Sequence, residues 1–296
     1  MNIDLEYYKR DLINNGYTII PNILNKEEIN EYKKDFFYWF NNTPNLKEHH
    51  NIIHSNGIIK YYDIGHQKFV WKIRINENIQ NIFKYLWDTD ELIVSFDGCC
   101  YYTKDYNKND TYWTHTDQSP NKKGLHCYQS FVSLTDNIEK TIILYEKSHL
   151  LHEHYFKTMG ITGNNDWQII DKSYLDNFST TFKKLKVNKG DLVIWDSRTF
   201  HQNVSGNKEI KEERLVQYLC YCPREKINKN FEEQKKRHLF FENYRTTNHW
   251  PNNLNTVPMQ PIIYNYINHN DPIFINYNEI DEPVLDDIID EINKLL

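Results

Sequence analysis

The spacing of apolar residues in the first third of the chain alternates between a helical and a strand period. Apolar positions over residues 4–15 recur every three or four residues, which predicts a helix, and residues 17–20 predict a strand. Asn25, with Glu28 three residues later, has the pattern of an N-cap for a helix that extends to about residue 41. The next predicted elements are a loop with short extended pieces over 42–61, a strand over 69–75, a helix over 79–86 and a strand over 92–102.

The rest of the chain contains short apolar runs separated by turn residues. We predict strands over 128–134, 141–145 and 215–221, a hairpin with arms 185–187 and 192–195, and helices over 225–244 and 284–296. Residues 155–181, with two Gly and several Asn, predict a mobile insert with a short helix, in a position suited to a lid. The pattern favours a mainly β fold with flanking helices and a double-stranded β-helix core of the jelly-roll or cupin type.

Length and composition narrow the class of protein. The 296 residues predict one domain over 1–296, with a core at about 90–222, a supporting part at 1–89 and a helical extension at 223–296. A net charge of −6 argues against a broad phosphate-binding surface, so a nucleic acid is not the expected partner. No apolar run reaches the length of a membrane span and no signal peptide is recognisable, so we expect a cytoplasmic protein. The five cysteines predict buried thiols and not a disulfide framework.

Candidate chemistry is concentrated at four residues. If the chain is extended at His115, its side chain and that of Asp117 point to the same side and can converge on one ion. His201 would complete a set of two imidazoles and one carboxylate, which is the ligand set of non-haem Fe(II) oxygenases. Arg214 begins an apolar run, and its guanidinium can bind a carboxylate through two parallel hydrogen bonds. The alternative is that these histidines, among 13 in the chain, are structural or lie on the surface.

Four segments resemble the phytanoyl-CoA dioxygenase-like branch of the Fe(II)/2-oxoglutarate oxygenases, and the resemblance covers most of the chain. They are the strand and helix of residues 15–29, the first metal motif Trp113-Thr114-His115-Thr116-Asp117-Gln118-Ser119-Pro120, the turn Lys147-Ser148-His149, and the second metal motif from Gly190 to His201. The chain departs from the family at Glu146-Lys147, where Pro-Gly is usual, which puts the geometry of that turn in doubt.

The resemblance implies a dioxygenase, an oxidoreductase that uses Fe(II), 2-oxoglutarate and O2 to hydroxylate a small molecule, with release of succinate and CO2. It implies His115, Asp117 and His201 as metal ligands, with no further catalytic residue, and Arg214 as the partner of the far carboxylate of 2-oxoglutarate. The remaining candidate contacts are Tyr102 and Gln129 for the co-substrate and Arg74 and Trp113 for the substrate. Tyr102 has the alternative of a core position, and Arg74 that of a solvent-facing one.

Rival functions remain open at this point. A cupin-like zinc hydrolase or isomerase uses the same three ligands, and an inactive binding module can keep the fold. A nucleobase or peptide oxygenase lies within the main class. Asp117 argues against a halogenase, which needs that position free for halide. The sequence leaves open the substrate, the choice among hydroxylation, desaturation and epimerisation, and the oligomeric state.

Overall fold

The computed structural model describes residues 3–54, 56–176, 182–259 and 280–296. Its helices are, in chain order, α1 (Leu5–Asn15), α2 (Lys26–Asn42), α3 (Leu46–Ile53), α4 (Lys68–Arg74), α5 (Glu77–Trp87), α6 (His152–Met159), α7 (Lys172–Asp176), α8 (Phe231–Glu242) and α9 (Ile289–Asn293). Its strands are β1 (Tyr17–Ile20), β2 (Ile58–Ile59), β3 (Leu92–Val94), β4 (Cys99–Tyr102), β5 (His115–Thr116), β6 (Tyr128–Ser133), β7 (Thr141–Tyr145), β8 (Gln168–Ile169), β9 (Phe182–Lys184), β10 (Leu192–Asp196), β11 (His201–Val204) and β12 (Arg214–Pro223).

The chain divides into two compact units. The first contains the residues up to Asn22 together with Thr103–Arg214, and the second contains Ile23–Tyr102 together with the residues from Leu215 onward. The prediction of one domain over 1–296 stays a prediction. All four of the residues that carry the candidate chemistry, from His115 to Arg214, belong to the first unit.

Three strands of the first unit pair antiparallel in the order β1-β10-β6. Gly16 ends α1 with a φ of 84°, a left-handed conformation that glycine adopts without strain, and its N–H donates to the Leu12 carbonyl. The chain therefore turns at once from α1 into β1. Strand β10 lies between the other two and is buried along its whole length, which explains its continuous apolar run.

The second sheet of this unit has five antiparallel strands in the order β8-β5-β11-β7-β9. His115 of β5 lies opposite Ile169 of β8 on one side and His201 of β11 on the other. Directly opposed residues of antiparallel strands project from the same face of the sheet. Ile169, His115 and His201 therefore form a row on one face. With two antiparallel sheets and flanking helices, the predicted jelly-roll class is confirmed.

In the second unit, strands β2, β4 and β12 are neighbours in that order, and β3 pairs with β12. Helix α2 begins at the predicted N-cap, where Asn25 and Glu28 form a reciprocal capping box. Phe36 and Phe40, four residues apart on one face of α2, both meet the ring of Tyr101 with centroids 5.1 Å apart. Aromatic rings therefore form much of this core, which agrees with the aromatic-rich composition.

Two predictions for the first hundred residues are wrong in the type of element. Residues 69–75, predicted as a strand, form helix α4, in which Phe69, Val70, Trp71 and Ile73 are all buried. A short, continuously apolar run fits a buried helix as well as a strand, and periodicity alone does not separate them. The stretch 42–61, predicted as a loop with short extended pieces, contains one such piece, β2, but also helix α3, because Leu46 and other apolar positions find buried sites.

Other predicted elements have different bounds or partners. The predicted strand over 92–102 is interrupted between β3 and β4, where the backbone of Gly98 lies too close to Ile59 to allow any side chain. The predicted hairpin is wrong, because β10 pairs with β1 and β6, whereas Val187 bridges to Asn137. The helix predicted over 225–244 is shortened to α8, and that over 284–296 to a 3₁₀ turn followed by α9.

The segment predicted as a mobile insert is largely regular where it is described. It contains α6, β8 and α7, and residues 177–181 lie outside the described residues. The Ser119 backbone N–H donates to Asp166 over 3.0 Å, and Lys122 pairs with the same carboxylate at 2.7 Å. These bonds fasten the segment beside the first metal motif, and its action as a lid stays a prediction. No helix in the described part of the chain has the length and apolar character needed to cross a bilayer.

Candidate metal centre

The side chains of His115, Asp117 and His201 meet in the first unit. His115 begins β5, Asp117 follows two residues later, and His201 begins β11 directly opposite His115. The Nε2 atoms of His115 and His201 each lie 3.4 Å from Oδ2 of Asp117, and all three side chains are buried. Within residues 3–54, 56–176, 182–259 and 280–296, no second set of three His, Cys, Asp or Glu side chains converges in this way.

Backbone carbonyls fix the tautomer of both imidazoles. Nδ1 of His115 lies 3.0 Å from the Trp113 carbonyl, and Nδ1 of His201 lies 2.9 Å from the Thr199 carbonyl. A carbonyl only accepts, so each neutral ring carries its proton on Nδ1 and presents the Nε2 lone pair to Asp117. Burial lowers the pKa of His201, the neighbouring His115 lowers it further, and the nearby Asp117 carboxylate, which favours the protonated ring, opposes both. The neutral imidazole is the form that binds a metal.

Three acceptor atoms therefore point at one another across a buried space. Two lone pairs and a carboxylate oxygen repel in this arrangement unless a cation lies among them. Two ligands about 2.1 Å from one ion are about 3.0 Å apart at right angles and about 3.4 Å apart at the tetrahedral angle, and the 3.4 Å separations found here lie at the upper end of that range. The donor set thus fits a divalent transition metal and leaves further coordination positions open.

A second pair of side chains, from the opposite sheet, orients the carboxylate. Gln129 of β6 donates through Nε2 to Oδ2 of Asp117 over 2.9 Å, and Trp195 of β10 donates through Nε1 to Oε1 of Gln129 over 3.0 Å. An indole N–H only donates, so it fixes which end of the Gln129 amide faces Asp117. Gln129, predicted near the co-substrate, therefore contacts the carboxylate, and a co-substrate contact stays a prediction.

Trp195 is a site residue that the sequence reasoning did not assign. It lies opposite Gln129 in the β10–β6 register, and its ring lies 5.2 Å from that of His201. Its position in the second metal motif, six residues before His201, was a usable signal. The predicted hairpin hid that signal, because it paired β10 with residues 185–187 and not with the strand that carries Gln129.

Two tryptophans flank His115. Trp113, predicted as a substrate contact, stacks on the imidazole with centroids 4.9 Å apart and planes 15° apart. Its indole N–H donates to the Asn203 carbonyl over 3.2 Å, which anchors the ring. Trp167, which the sequence reasoning did not assign, lies on the segment before β8 with its ring 5.7 Å from that of His115. Aromatic surface therefore borders the candidate ligand His115 on the side of the five-stranded sheet.

Arg214 lies near the same strand that carries Gln129. Its guanidinium is buried at the start of β12, 5.2 Å from the ring of Phe131. Phe131 and Gln129 are two residues apart on β6, so their side chains leave the same face. Gln129 is bonded to Asp117 and to Trp195, the Trp195 ring lies 5.9 Å from that of Phe131, and Arg214 lies over Phe131, so consecutive contacts connect the candidate metal position with the cation.

The other two predicted site residues belong to the second unit. Arg74 is fully buried on α4, donates to the carbonyls of Gly65 and Asp97, and stacks over Trp71 at 4.8 Å. Burial lowers the pKa of Arg74 to about 10. These contacts are structural, which corrects the expectation of a solvent-facing residue on a strand. Tyr102 is buried at the end of β4. Ligand contacts for both residues stay predictions.

The turn that departs from the family pattern keeps a left-handed backbone. Lys147, at the position where glycine is usual, has a φ of 66°, a conformation that costs a non-glycine residue about 1–2 kcal/mol. Its N–H donates to the Asn15 carbonyl over 2.8 Å, and the imidazole of His149 lies 2.9 Å from the Ile13 carbonyl. These bonds to the end of α1 offset the strain, so Ser148 and His149 have structural roles.

Comparisons with known proteins agree with this architecture. No family model matches the chain. The curated "Ava biosynthesis cluster protein O" of Aspergillus versicolor is 28% identical over 263 residues, which span 80% of this chain and 83% of that protein.

Three solved structures are similar to the chain, each over 74% of its length. The epimerase SnoN, in complex with Fe3+, alpha ketoglutarate and nogalamycin RO, is 17% identical over 83% of its own chain with a TM-score of 0.51. The non-heme alpha ketoglutarate dependent carbocyclase SnoK is 14% identical over 83% of its chain with a TM-score of 0.52. HygX from Streptomyces hygroscopicus, with nickel, 2-oxoglutarate and hygromycin B, is 12% identical over 87% of its chain with a TM-score of 0.51. The fold is shared.

Proposed function

We propose that this protein is an Fe(II)- and 2-oxoglutarate-dependent oxygenase of the phytanoyl-CoA dioxygenase-like branch that hydroxylates a small molecule. The overall reaction would convert R–H, O2 and 2-oxoglutarate into R–OH, CO2 and succinate. The observation that carries the proposal is the meeting of two Nε2 lone pairs and one carboxylate oxygen at separations of 3.4 Å. Solved structures that share this fold and contain iron or nickel together with 2-oxoglutarate support it.

The protein's own residues hold the reactants in place. His115 and His201 would bind the metal through Nε2, because Trp113 and Thr199 occupy both Nδ1 protons. Asp117 would bind as a carboxylate, held by Gln129. When bound, the iron supplies the redox chemistry that couples loss of CO2 from 2-oxoglutarate to activation of oxygen. His115, Asp117 and His201 would supply three ligands and leave the remaining coordination positions to the co-substrates.

Arg214 would bind the far carboxylate of 2-oxoglutarate. A buried guanidinium over Phe131 is shielded from water, so a bidentate bond to a carboxylate there is stronger than at the surface. The contacts from Asp117 through Gln129, Trp195 and Phe131 to Arg214 support a position for 2-oxoglutarate between metal and cation, beside β6. The keto-acid end would face the metal position and the far carboxylate Arg214.

The test is anaerobic binding of Fe(II) and then 2-oxoglutarate, followed by a substrate screen for O2-dependent succinate release. Asp117→Ala should lose Fe(II) binding. Arg214→Ala should keep one Fe(II) per chain but weaken 2-oxoglutarate binding by about 10- to 100-fold, since a charged hydrogen-bonded pair contributes about 1.5–3 kcal/mol. The 2-oxoglutarate affinity of Arg214→Lys should lie between those of the wild type and Arg214→Ala. Lys keeps the positive charge but cannot form two parallel hydrogen bonds to one carboxylate. Lys211→Ala, which removes an exposed cation of the same unit, is the matched control.

Two outcomes would contradict the proposal. Turnover supported by Zn(II) without 2-oxoglutarate would indicate the hydrolase or isomerase alternative, in which Arg214 has no assigned task. Binding of neither Fe(II) nor 2-oxoglutarate would indicate a module without catalytic activity. Unchanged 2-oxoglutarate affinity in Arg214→Ala, with Fe(II) binding intact, would contradict the role of Arg214 alone.

A further inference from the structure

Two large apolar side chains are exposed at the edge of the five-stranded sheet. Trp167 is 46% exposed and Ile169 is 47% exposed, and both belong to the segment that forms β8. Strand β8 is the edge strand of this sheet and pairs with β5, which carries His115. Exposed apolar residues are common singly, but a pair beside a buried group of metal-binding side chains indicates a binding surface.

The register shows which way this surface faces. Ile169 lies opposite His115, so both side chains leave the same face of the sheet. Trp167, two residues before Ile169, projects from that face too, and its ring lies 5.7 Å from the His115 ring. Gln168 lies opposite Thr116 on the other face. The exposed apolar pair therefore borders the candidate metal position.

The surface is held in place before any ligand binds. The Ser119 N–H donates to Asp166, the residue before Trp167, and Lys122 pairs with the other oxygen of that carboxylate at 2.7 Å. On the far side of β8, Tyr155 donates through its hydroxyl to the Ile169 carbonyl over 3.2 Å. A fixed aromatic surface loses little entropy when a ligand binds, which favours its use in recognition.

The two carboxylates that flank this surface in the sequence are already engaged. Asp166, the residue before Trp167, is paired with Lys122 at 2.7 Å, and Asp171, two residues after Ile169, accepts from the backbone N–H and the hydroxyl of Ser173. An ionic ligand would need an opposite charge to replace its hydration, and these pairs do not offer one without being broken. The surface therefore favours an uncharged ligand.

We propose that Trp167 and Ile169 form the substrate-binding wall and that the substrate is an uncharged molecule with a flat, largely apolar ring system. This inference rests on the proposed function, in which the bound molecule is oxidised beside His115. Arg214 and Phe131 would hold 2-oxoglutarate on the side of β6, whereas the wall belongs to the edge of the other sheet. The two ligands would thus approach the metal from different strands.

The test uses three probes that share one carbon skeleton. They are 2-naphthol, which is flat and neutral, trans-decahydro-2-naphthol, which is saturated, and 2-naphthoate, which is charged. Each is titrated calorimetrically into the full chain with Zn(II) in place of iron and without 2-oxoglutarate, so that no turnover is needed. We expect 2-naphthol to bind at least 5-fold more tightly than either of the others, because only it offers a neutral aromatic face.

Variants then locate the binding. Trp167→Ala should weaken 2-naphthol by about 5- to 10-fold, and Trp167→Phe by less than about 3-fold, since a smaller ring keeps part of the contact. Ile169→Thr should weaken it by about 3-fold and does not depend on the folding of the Trp167 variants. The matched control is Phe231→Ala, which removes a 79% exposed aromatic residue of α8 in the second unit and should change nothing.

The outcomes separate this proposal from the proposed function. If 2-naphthol does not bind, if the three probes bind equally, or if Trp167→Ala and Ile169→Thr leave its affinity unchanged, the wall is overturned. If the chain binds no 2-oxoglutarate yet binds 2-naphthol in a manner that depends on Trp167, the binding wall stands and the oxygenase assignment fails. Equal loss in Phe231→Ala would also count against the wall.

Discussion

Each unit of the molecule contains a pair of buried histidines in contact, and the two pairs are built oppositely. In the first unit, His115 and His201 lie with ring centroids 4.4 Å apart. In the second, His50 and His54 lie with centroids 5.0 Å apart and with their Nδ1 atoms separated by 3.0 Å. Residue type and burial are the same, so the difference must come from the groups around the rings.

Hydrogen-bond partners decide what each pair can bind. Nε2 of His50 lies 2.9 Å from the Tyr101 carbonyl, so a neutral His50 carries its proton on Nε2 and accepts at Nδ1 from His54. The Nε2 lone pair of His54 is then directed elsewhere, into a buried position without a hydrogen-bond partner among the described residues. The two rings of this pair take opposite tautomers. The Nδ1 lone pair of His50 accepts from His54, so this pair cannot direct two lone pairs at one ion.

Both rings of the first pair, His115 and His201, take the same tautomer. Trp113 and Thr199 each accept from an Nδ1, so both Nε2 lone pairs converge on Oδ2 of Asp117. A carbonyl two residues before each histidine is therefore as important for a metal site as the histidine itself. The comparison teaches that the placement of backbone acceptors, and not the proximity of two imidazoles, separates a ligand pair from a core pair.

The largest expected effect comes from removing one ring from each pair. His115→Ala should weaken Fe(II) or Zn(II) binding by about 100- to 1,000-fold, because one of three protein ligands contributes several kcal/mol. His54→Ala should keep metal affinity and lose about 1–3 kcal/mol of stability from a buried contact. Anaerobic equilibrium dialysis and urea unfolding measure the two quantities. Loss of metal binding in His54→Ala with the fold intact would break the comparison.

A smaller loss of metal affinity should follow when the carboxylate of Asp117 loses its hydrogen-bond donor. Gln129→Leu removes the 2.9 Å bond that orients the carboxylate, and we expect metal affinity to fall by about 10- to 100-fold. Trp195→Phe removes the donor that fixes the amide and should cost less, because Gln129 can still donate. Competition with a colour-changing chelator measures both affinities. Wild-type metal affinity in Gln129→Leu would show that Asp117 needs no such support.

The candidate site was more predictable from the sequence than the elements around it. His115 and Asp117 are two residues apart, and in an extended chain such residues point to the same side, so this part of the site could be predicted without tertiary information. The partner of His201 depends on the register of β11 with β5, which only the fold supplies. Gln129 was expected to face the site and does, but its bond to Asp117 depends on how two sheets meet.

The failures have a common physical cause. Residues 69–75 were assigned as a strand because a fully buried helix turn and a buried strand have the same apolar composition. The assignment of Arg74 to the substrate followed from that strand, whereas helix α4 directs the guanidinium to the carbonyls of Gly65 and Asp97. Local pattern identifies which residues are buried, and long-range contacts decide which groups they meet.

The smallest expected effect is on the pH dependence of stability, which tests whether the His50–His54 pair is neutral in the fold. Burial, and then the charge of His50, lower the pKa of His54 well below its ordinary value. In the unfolded chain, His54 has a pKa of about 6.5. Below that pH the unfolded state therefore binds a proton that the folded state does not. The free energy of unfolding then falls by at most about 1.4 kcal/mol per pH unit. Burial lowers the pKa of His66, in the same unit, to about 3, so His66 also contributes to the loss of unfolding free energy at low pH. His54→Gln should therefore reduce, and not abolish, the fall in unfolding free energy between pH 7 and pH 5 measured by urea titration at fixed ionic strength. An unchanged slope in His54→Gln would mean that folding does not lower the pKa of His54.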